Sequence, residues 1–470
     1  MDEIHNSYVS PLGSRYASSE MKTIFSDNTK FTTWRKLWTA LADAERQLGV
    51  QISQEQIDEL ERHILDIDYA AVQLQEQKVQ HDVMAHLYAY RMVCPKAAPI
   101  LHLGATSCFL TDNADIIIIK TALQHIRKLL VDTIKSLMSF AEKYKSLITL
   151  SYTHLQEAQP TTLGKRATIW MQDLIIDLEQ LDFVLQNLKL LGCRGATGNG
   201  SSYLKLFNGD ADKVKKLETI IIEKFGFDSA YDVSVQTYPR KIDSQVLYTL
   251  SGIAQSAQKF SNDIRFLSHL KEVEEPQTLE QVSSSAMPYK SNPLLSERIT
   301  ALTRYIIVDS LNPQLTSGVQ LMERTLDDSA NRRLCIPEAF LATDAVLSLY
   351  AQIVSGLQVF PFVIKKHVKN ELPFICTEQI LMHCVSKGKK YSDLYNALVI
   401  HSKEATRRMK QEGTDNDLVE RIVNDPLFSL SYDDIDSIID EQCLTGLAEN
   451  HTVKYLKKVA DLILTKSGDV

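Results

Sequence analysis

The densest grouping of reactive side chains in this chain is Ser283-Ser284-Ser285-Ala286-Met287-Pro288-Tyr289-Lys290-Ser291-Asn292-Pro293, with three successive hydroxyls, a lysine and an asparagine between two prolines. A helical stretch follows from Leu294, with Asn292 suited to cap it and Pro293 suited to its first position. A loop delivered to a helix N-terminus offers backbone N–H groups, the helix dipole and the Lys290 ammonium to an anion. On composition alone the segment reads equally well as a polar surface loop. Two histidines, His81 and His86, stand five apart and so do not share a helix face as i,i+4 zinc ligands would. The run Glu323-Arg324-Thr325-Leu326-Asp327-Asp328-Ser329-Ala330-Asn331-Arg332-Arg333 reads by itself as a solvated face with local ion pairs.

The elements that must position these groups are long helices. The 470 residues contain only 17 Gly and 13 Pro, about half the usual combined share. Ala105–Gln159 contains neither, and further sparse stretches run Lys165–Leu191, Lys241–Glu275, Leu294–Asn312 and Glu338–Ser355. A helix from Asp112 to Tyr144 would be about 50 Å long. Helices of that length with apolar stripes pack most simply as a bundle, so the fold class predicted is all-α. No period-2 strand pattern stands out, and no repeat of solenoid length is present. Near the N-terminus, Trp34, Leu37, Trp38, Leu41 and Leu48 follow helical spacing up to Gly49, and Ser53 with Gln56 has the form of a capping box. Gly192-Cys193-Arg194-Gly195-Ala196-Thr197-Gly198-Asn199-Gly200-Ser201-Ser202 lacks the strand and βαβ context of a dinucleotide fingerprint and reads as a connector. From about Phe360 the helices shorten. The expected domains are 1–106, 107–359 and 360–470.

Hydrophobic residues at 44% and charged residues at 23% are ordinary for a globular protein. A formal charge of −8 argues against a general nucleic-acid surface, so any positive charge for an anionic ligand must be local. Seven cysteines without Cys-x-x-Cys spacing fit a reducing compartment and neither a disulfide framework nor a zinc site. The N-terminus has no apolar signal region, and the longest purely aliphatic run, Ile116–Ile119, is far too short to span a membrane. These features point to a cytosolic protein without a membrane partner.

Ser-Ser-Ala-Met-Pro-Tyr-Lys-x-Asn-Pro, from Ser284 to Pro293, resembles the signature of the fumarase/aspartase superfamily in its adenylosuccinate lyase branch. Ser283 stands where that pattern has Gly, and Ser291 where a basic residue is common. The other blocks resemble the same branch in the same order: Arg15-Tyr16, His81-Asp82-Val83-Met84-Ala85-His86, Gly104-Ala105-Thr106-Ser107, Thr153-His154-Leu155-Gln156 and Arg324 to Arg333. The resemblance implies a three-domain helical subunit, a homotetramer with each active site built from three subunits, and no metal or organic cofactor. The reaction it implies is β-elimination of fumarate from a succinylated nucleotide in purine biosynthesis.

The same resemblance assigns roles. His154 is the expected general acid, since an imidazole can deliver a proton to a departing nitrogen near neutral pH. Ser284 matches the catalytic base, with Lys290 and Asn292 placed to stabilise the resulting dianion. Glu297 resembles the carboxylate paired with the catalytic histidine, although a first-turn acid complementing the dipole is equally good physics. His81 lies near the substrate, with Asp82 in the same block. Thr106 and Ser107 bind a carboxylate, and Gln236 contacts the succinyl region. Arg15 and Tyr16 match phosphate-binding positions and Arg298 a further nucleotide contact, while Arg324, Ser329 and Arg333 hold phosphate and ribose. Guanidinium groups suit such a ligand because they bind phosphate and carboxylate bidentately. Thr197 or Ser201 is a further contact left open. The alternatives are another superfamily lyase, such as argininosuccinate lyase or fumarase, and a catalytically silent structural relative.

Overall fold

The computed structural model describes residues 6–277, 280, 285–438 and 444–466, the side chains of the last two excepted. Ser283 and Ser284 lie outside the described residues. The helices that carry the architecture are α1 (Asp27–Gln47), α2 (Asp82–Val93), α3 (Ser107–Lys143), α4 (Leu163–Asn187), α5 (Lys241–His269), α6 (Leu294–Asp309) and α7 (Asp327–Gly356). The breaker-poor stretches thus become α3 to α7, as expected, but α7 starts eleven residues before Glu338 and runs straight through Pro337. Helix α7 is long and apolar enough to cross a membrane, yet 61% of its most apolar window is buried within the protein, as in a core helix.

Two compact units divide the chain. The first comprises residues 1–130, 176–258 and 298–349. Its core is built on α1, where Trp34, Leu37, Trp38 and Leu41 are buried with Tyr90, Phe109, Leu110, Tyr203 and Leu217. The Trp pair is therefore core, as its apolar spacing predicts. Ser26 caps the helix through the Thr29 N–H, and Gly49 at φ +96° ends it. Ser53 and Gln56 form the capping box read from sequence. The Trp38 indole donates to His102 Nδ1 at 3.0 Å, and burial depresses that imidazole to about 4, so it stays a neutral acceptor.

The second unit comprises residues 131–175, 259–297 and 350–470. It holds a feature the sequence reading lacked: an antiparallel hairpin of β1 (Ile148–Thr153) and β2 (Gln156–Thr162), with Thr153 paired to Gln156. The two-residue turn His154-Leu155 takes φ +54° and +57°, the backbone hand that twist-matched hairpins require and that Asn-Gly usually supplies. Trp170 donates to Asp263 at 2.7 Å, and Phe260 stacks on Tyr350 with centroids 3.8 Å apart. A further core gathers Ile380, Leu394, Leu398, Leu418, Ile422 and Phe428 from the shorter C-terminal helices.

Candidate active site

A cavity of about 610 Å³ opens in the first unit. Its walls bring together His81 and Asp82 from the start of α2, Thr106 and Ser107 at the start of α3, Gln236 before α5, and Arg324, Ser329 and Arg333 around the start of α7. Eight of the candidate residues, scattered over 250 positions of sequence, thus face one space.

Each is held by local chemistry. His81 is the N-cap of α2, where Nδ1 accepts a long hydrogen bond from the Met84 N–H at 3.5 Å. The imidazole proton then sits on Nε2, which donates to Ser107 Oγ at 3.3 Å. Asp82, in the first turn, accepts from the Val83 N–H at 2.7 Å and from Arg333 Nη2 at 2.6 Å. Burial alone would raise the Asp82 carboxyl, but the Arg333 charge and these hydrogen bonds outweigh it and hold it below the usual carboxylate range. Ser329 and Arg333 are four residues apart, hence on one face of the first turns of α7. Arg324 donates to Asp328 Oδ1 at 2.8 Å and also to the Thr325 carbonyl.

Beneath them lies a buried ion network that sequence reasoning missed. Arg240 donates from Nε to Asp328 Oδ2 at 2.6 Å and from Nη1 to Asp112 Oδ2 at 2.9 Å. Arg332 donates to Asp243 Oδ2 at 2.7 Å and to Asp115 Oδ2 at 2.9 Å. Burial works against both guanidinium charges, and the surrounding carboxylates overcome it and raise both pKa values. Of the Arg332-Arg333 pair, the first is consumed by this network and buried, while the second is exposed to the cavity. The cavity carries the charges of Lys30, Arg240, Arg324, Arg332 and Arg333 against those of Asp27, Asp82, Asp112, Asp115 and Asp328. Its positive charge is local, as an acidic protein requires, but it is matched one for one.

Gln236 is engaged at both ends. Its Nε2 donates to the Ala196 carbonyl at 3.1 Å, and its Oε1 accepts from Cys108 Sγ at 3.5 Å. The glycine-rich segment therefore reaches the cavity wall through a backbone carbonyl, and neither Thr197 nor Ser201 lines the space. Gly198 is required there, because φ is +81° and a Cβ would fall 2.1 Å from the Ser234 carbonyl oxygen. His86 is not a site residue. It stacks on Phe31 with centroids 3.7 Å apart, and burial depresses it to about 4.

Arg15, Tyr16 and Arg298 form a separate cluster in the same unit, with the two guanidinium carbons 6.0 and 5.8 Å from the Tyr16 ring centroid. None of the three lines the cavity. His154, Lys290, Asn292 and Glu297 belong to the second unit. His154 is exposed at the tip of the hairpin, and Lys290 is exposed in a tight turn whose N–H donates to the Met287 carbonyl at 3.0 Å. Among the described residues no hydrogen bond or ion pair joins Glu297 to His154. The anion expected at the start of α6 is supplied by the protein itself: the buried Glu275 carboxylate accepts from the Leu295 and Ser296 N–H groups at 2.8 and 2.7 Å. That is a correction to the sequence reading, which left this helix terminus open to a ligand.

The model of the family described as Lyase matches residues 15–307. An adenylosuccinate lyase of Schizosaccharomyces pombe is 44% identical over 459 residues, covering 97% of this chain and 95% of that protein. One from Saccharomyces cerevisiae is 45% identical over 457 residues with the same coverage, and one from Schistosoma mansoni is 42% identical over 463 residues. Among solved structures, a 3-carboxy-cis,cis-muconate lactonizing enzyme from Pseudomonas putida superposes with a TM-score of 0.83 at 20% identity, covering 95% of this chain and 98% of that one. A fumarate lyase from Mesorhizobium gives 0.81 at 19%. These two likenesses speak to the fold.

Proposed function

The chain belongs to the lyase family and, within it, to the adenylosuccinate lyases, and from that premise we propose how its residues carry the reaction. The reaction is β-elimination of fumarate from adenylosuccinate, giving AMP. The same site cleaves succinylaminoimidazole carboxamide ribotide to the aminoimidazole carboxamide ribotide and fumarate, which places the enzyme in purine nucleotide biosynthesis. Ser284 removes the proton from the carbon beside a succinyl carboxylate. The resulting aci-carboxylate dianion is met by Lys290 and Asn292, and the electron pair then expels the nitrogen. His154 protonates that nitrogen as the C–N bond breaks. Thr106, Ser107 and His81 hold the succinyl end, with Gln236 beside them, and Arg324, Ser329 and Arg333 hold the ribose phosphate. Arg15, Tyr16 and Arg298 add nucleotide contacts, and Glu297 supports His154.

The observation that carries the reading is one cavity onto which three separated motif blocks and Gln236 converge. A homotetramer with sites shared among subunits is part of the proposal. It is supported by exposed Ile169, Ile176 and Phe183, which recur every seven residues along α4, and by Tyr248 and Val308 exposed on α5 and α6. The three chain segments 1–106, 107–359 and 360–470 remain the proposed domains. A cytoplasmic location accords with six unpaired, buried cysteines among the described residues. Chromatography of adenylosuccinate incubated with the purified protein tests the reaction: AMP and fumarate should form in equal amounts, and intact adenylosuccinate would remove the reading.

A further inference from the structure

We propose that Lys30 is an additional ligand-binding residue of this cavity, delivering its ammonium to the phosphate of the bound nucleotide. The inference rests on the functional reading above for the identity of the ligand. It arises from the state of the other cations. Arg240 is committed to Asp112 and Asp328, Arg332 to Asp243 and Asp115, Arg324 to Asp328, and Arg333 to Asp82. Lys30 lines the same cavity, and among the described residues no hydrogen bond or ion pair ties its ammonium to a carboxylate.

The side chain is nevertheless held in place. Lys30 lies in the first turns of α1, half-buried, with its ammonium 5.1 and 5.3 Å from the centroids of Phe31 and Trp34. It lines the same cavity as Asp82 and Asp115, and its charge favours the ionised form of both, although burial leaves the Asp115 carboxyl raised overall. Asp82 is also the partner of Arg333, which sets Lys30 on the side of the cavity where Arg333 meets phosphate. A dianionic group entering a charge-matched cavity is best met by a cation whose donors are not already bonded to a carboxylate, and a lysine is a suitable point-charge donor to phosphate.

Lys30→Met keeps the stem over the two rings and deletes the charge. Calorimetric titration with AMP should show affinity lower by about tenfold or more, the loss of one charge-assisted contact. The KM for adenylosuccinate should rise by a similar factor with kcat little changed, inhibition by fumarate should be unaffected, and Lys30→Arg should recover most of the loss. AMP affinity in Lys30→Met within about twofold of the parent overturns the proposal, as does a loss confined to fumarate, which carries carboxylates alone. Lys30→Gln provides a second charge deletion should the Met variant fold poorly. Binding of AMP needs no turnover, so a parent protein that binds AMP through Lys30 yet cleaves nothing would refute the reaction and leave this inference standing. Normal turnover with unaltered AMP binding in the variants would do the reverse.

Discussion

Arg333 and Asp82 stand 251 positions apart in sequence and 2.6 Å apart in space, Nη2 to Oδ2. The contact joins the first turn of α2 to the first turns of α7 and orients the guanidinium over the cavity. Removing the carboxylate by Asp82→Asn, or the fork by Arg333→Lys, should each raise KM for adenylosuccinate by about tenfold. Because the two act as a unit, the double variant should cost clearly less than the sum. Strictly additive effects in the cycle would show that the pair does not position Arg333 for substrate.

Arg240 tests the buried foundation of the site. It satisfies Asp112 and Asp328, which are 1% and 0% exposed. Arg240→Met leaves both carboxylates buried without their main counter-charge, and the loss should be about 3–5 kcal/mol in urea denaturation. A midpoint matching the parent would mean that the network adds nothing to folding.

Glu45 gives the fold a pH dependence. It is fully buried, neither carboxyl oxygen has a hydrogen-bond partner among the described residues, and burial pushes its pKa up to about 9. The folded chain keeps this proton over a range where the unfolded chain releases it, so folding takes up a proton. The protonated form's contribution is complete below the ordinary carboxyl pKa and is lost as pH rises to about 9. By pH 8 the loss is on the order of a few kcal/mol. Glu45→Gln removes the proton uptake, so its Tm should exceed the parent's by roughly a few degrees at pH 8, with the two converging near pH 5. An identical offset at both pH values would uncouple Glu45 from folding.

His154 occupies a left-handed backbone position that only a supporting structure or a function makes worth its strain. His154→Ala should lower kcat by about 100-fold or more while AMP still binds, because it removes the proposed proton donor to the leaving nitrogen. Near-normal turnover would remove it from the mechanism.

Much of this architecture is legible in the chain itself, because α3 to α7 follow from sparse breakers and the Ser53–Gln56 box and the Trp34–Trp38 face are local patterns. What escaped reading depends on partners distant in sequence or on missing local signals. The hairpin at 148–162 turns on His154-Leu155 in place of Asn-Gly, and its second strand contains Pro160, so the strand signals are weak. Helix α7 tolerates Pro337, where breaker rules stop it. Glu275 reaches the start of α6 from nineteen residues before Leu294, and no local motif announces that contact. The motif blocks marked His81, Asp82, Thr106, Ser107, Arg324, Ser329 and Arg333 on the cavity walls. Lys30, Asp115 and Arg240 lie outside those blocks and became visible only once helices brought them to the same walls.

The most direct test is fumarate release by the purified protein from adenylosuccinate, argininosuccinate and malate in parallel, with Ser284→Ala as control. Release from adenylosuccinate alone, abolished in the control, is the expected result. Release from either of the other two substrates, or undiminished release by Ser284→Ala, would contradict the account.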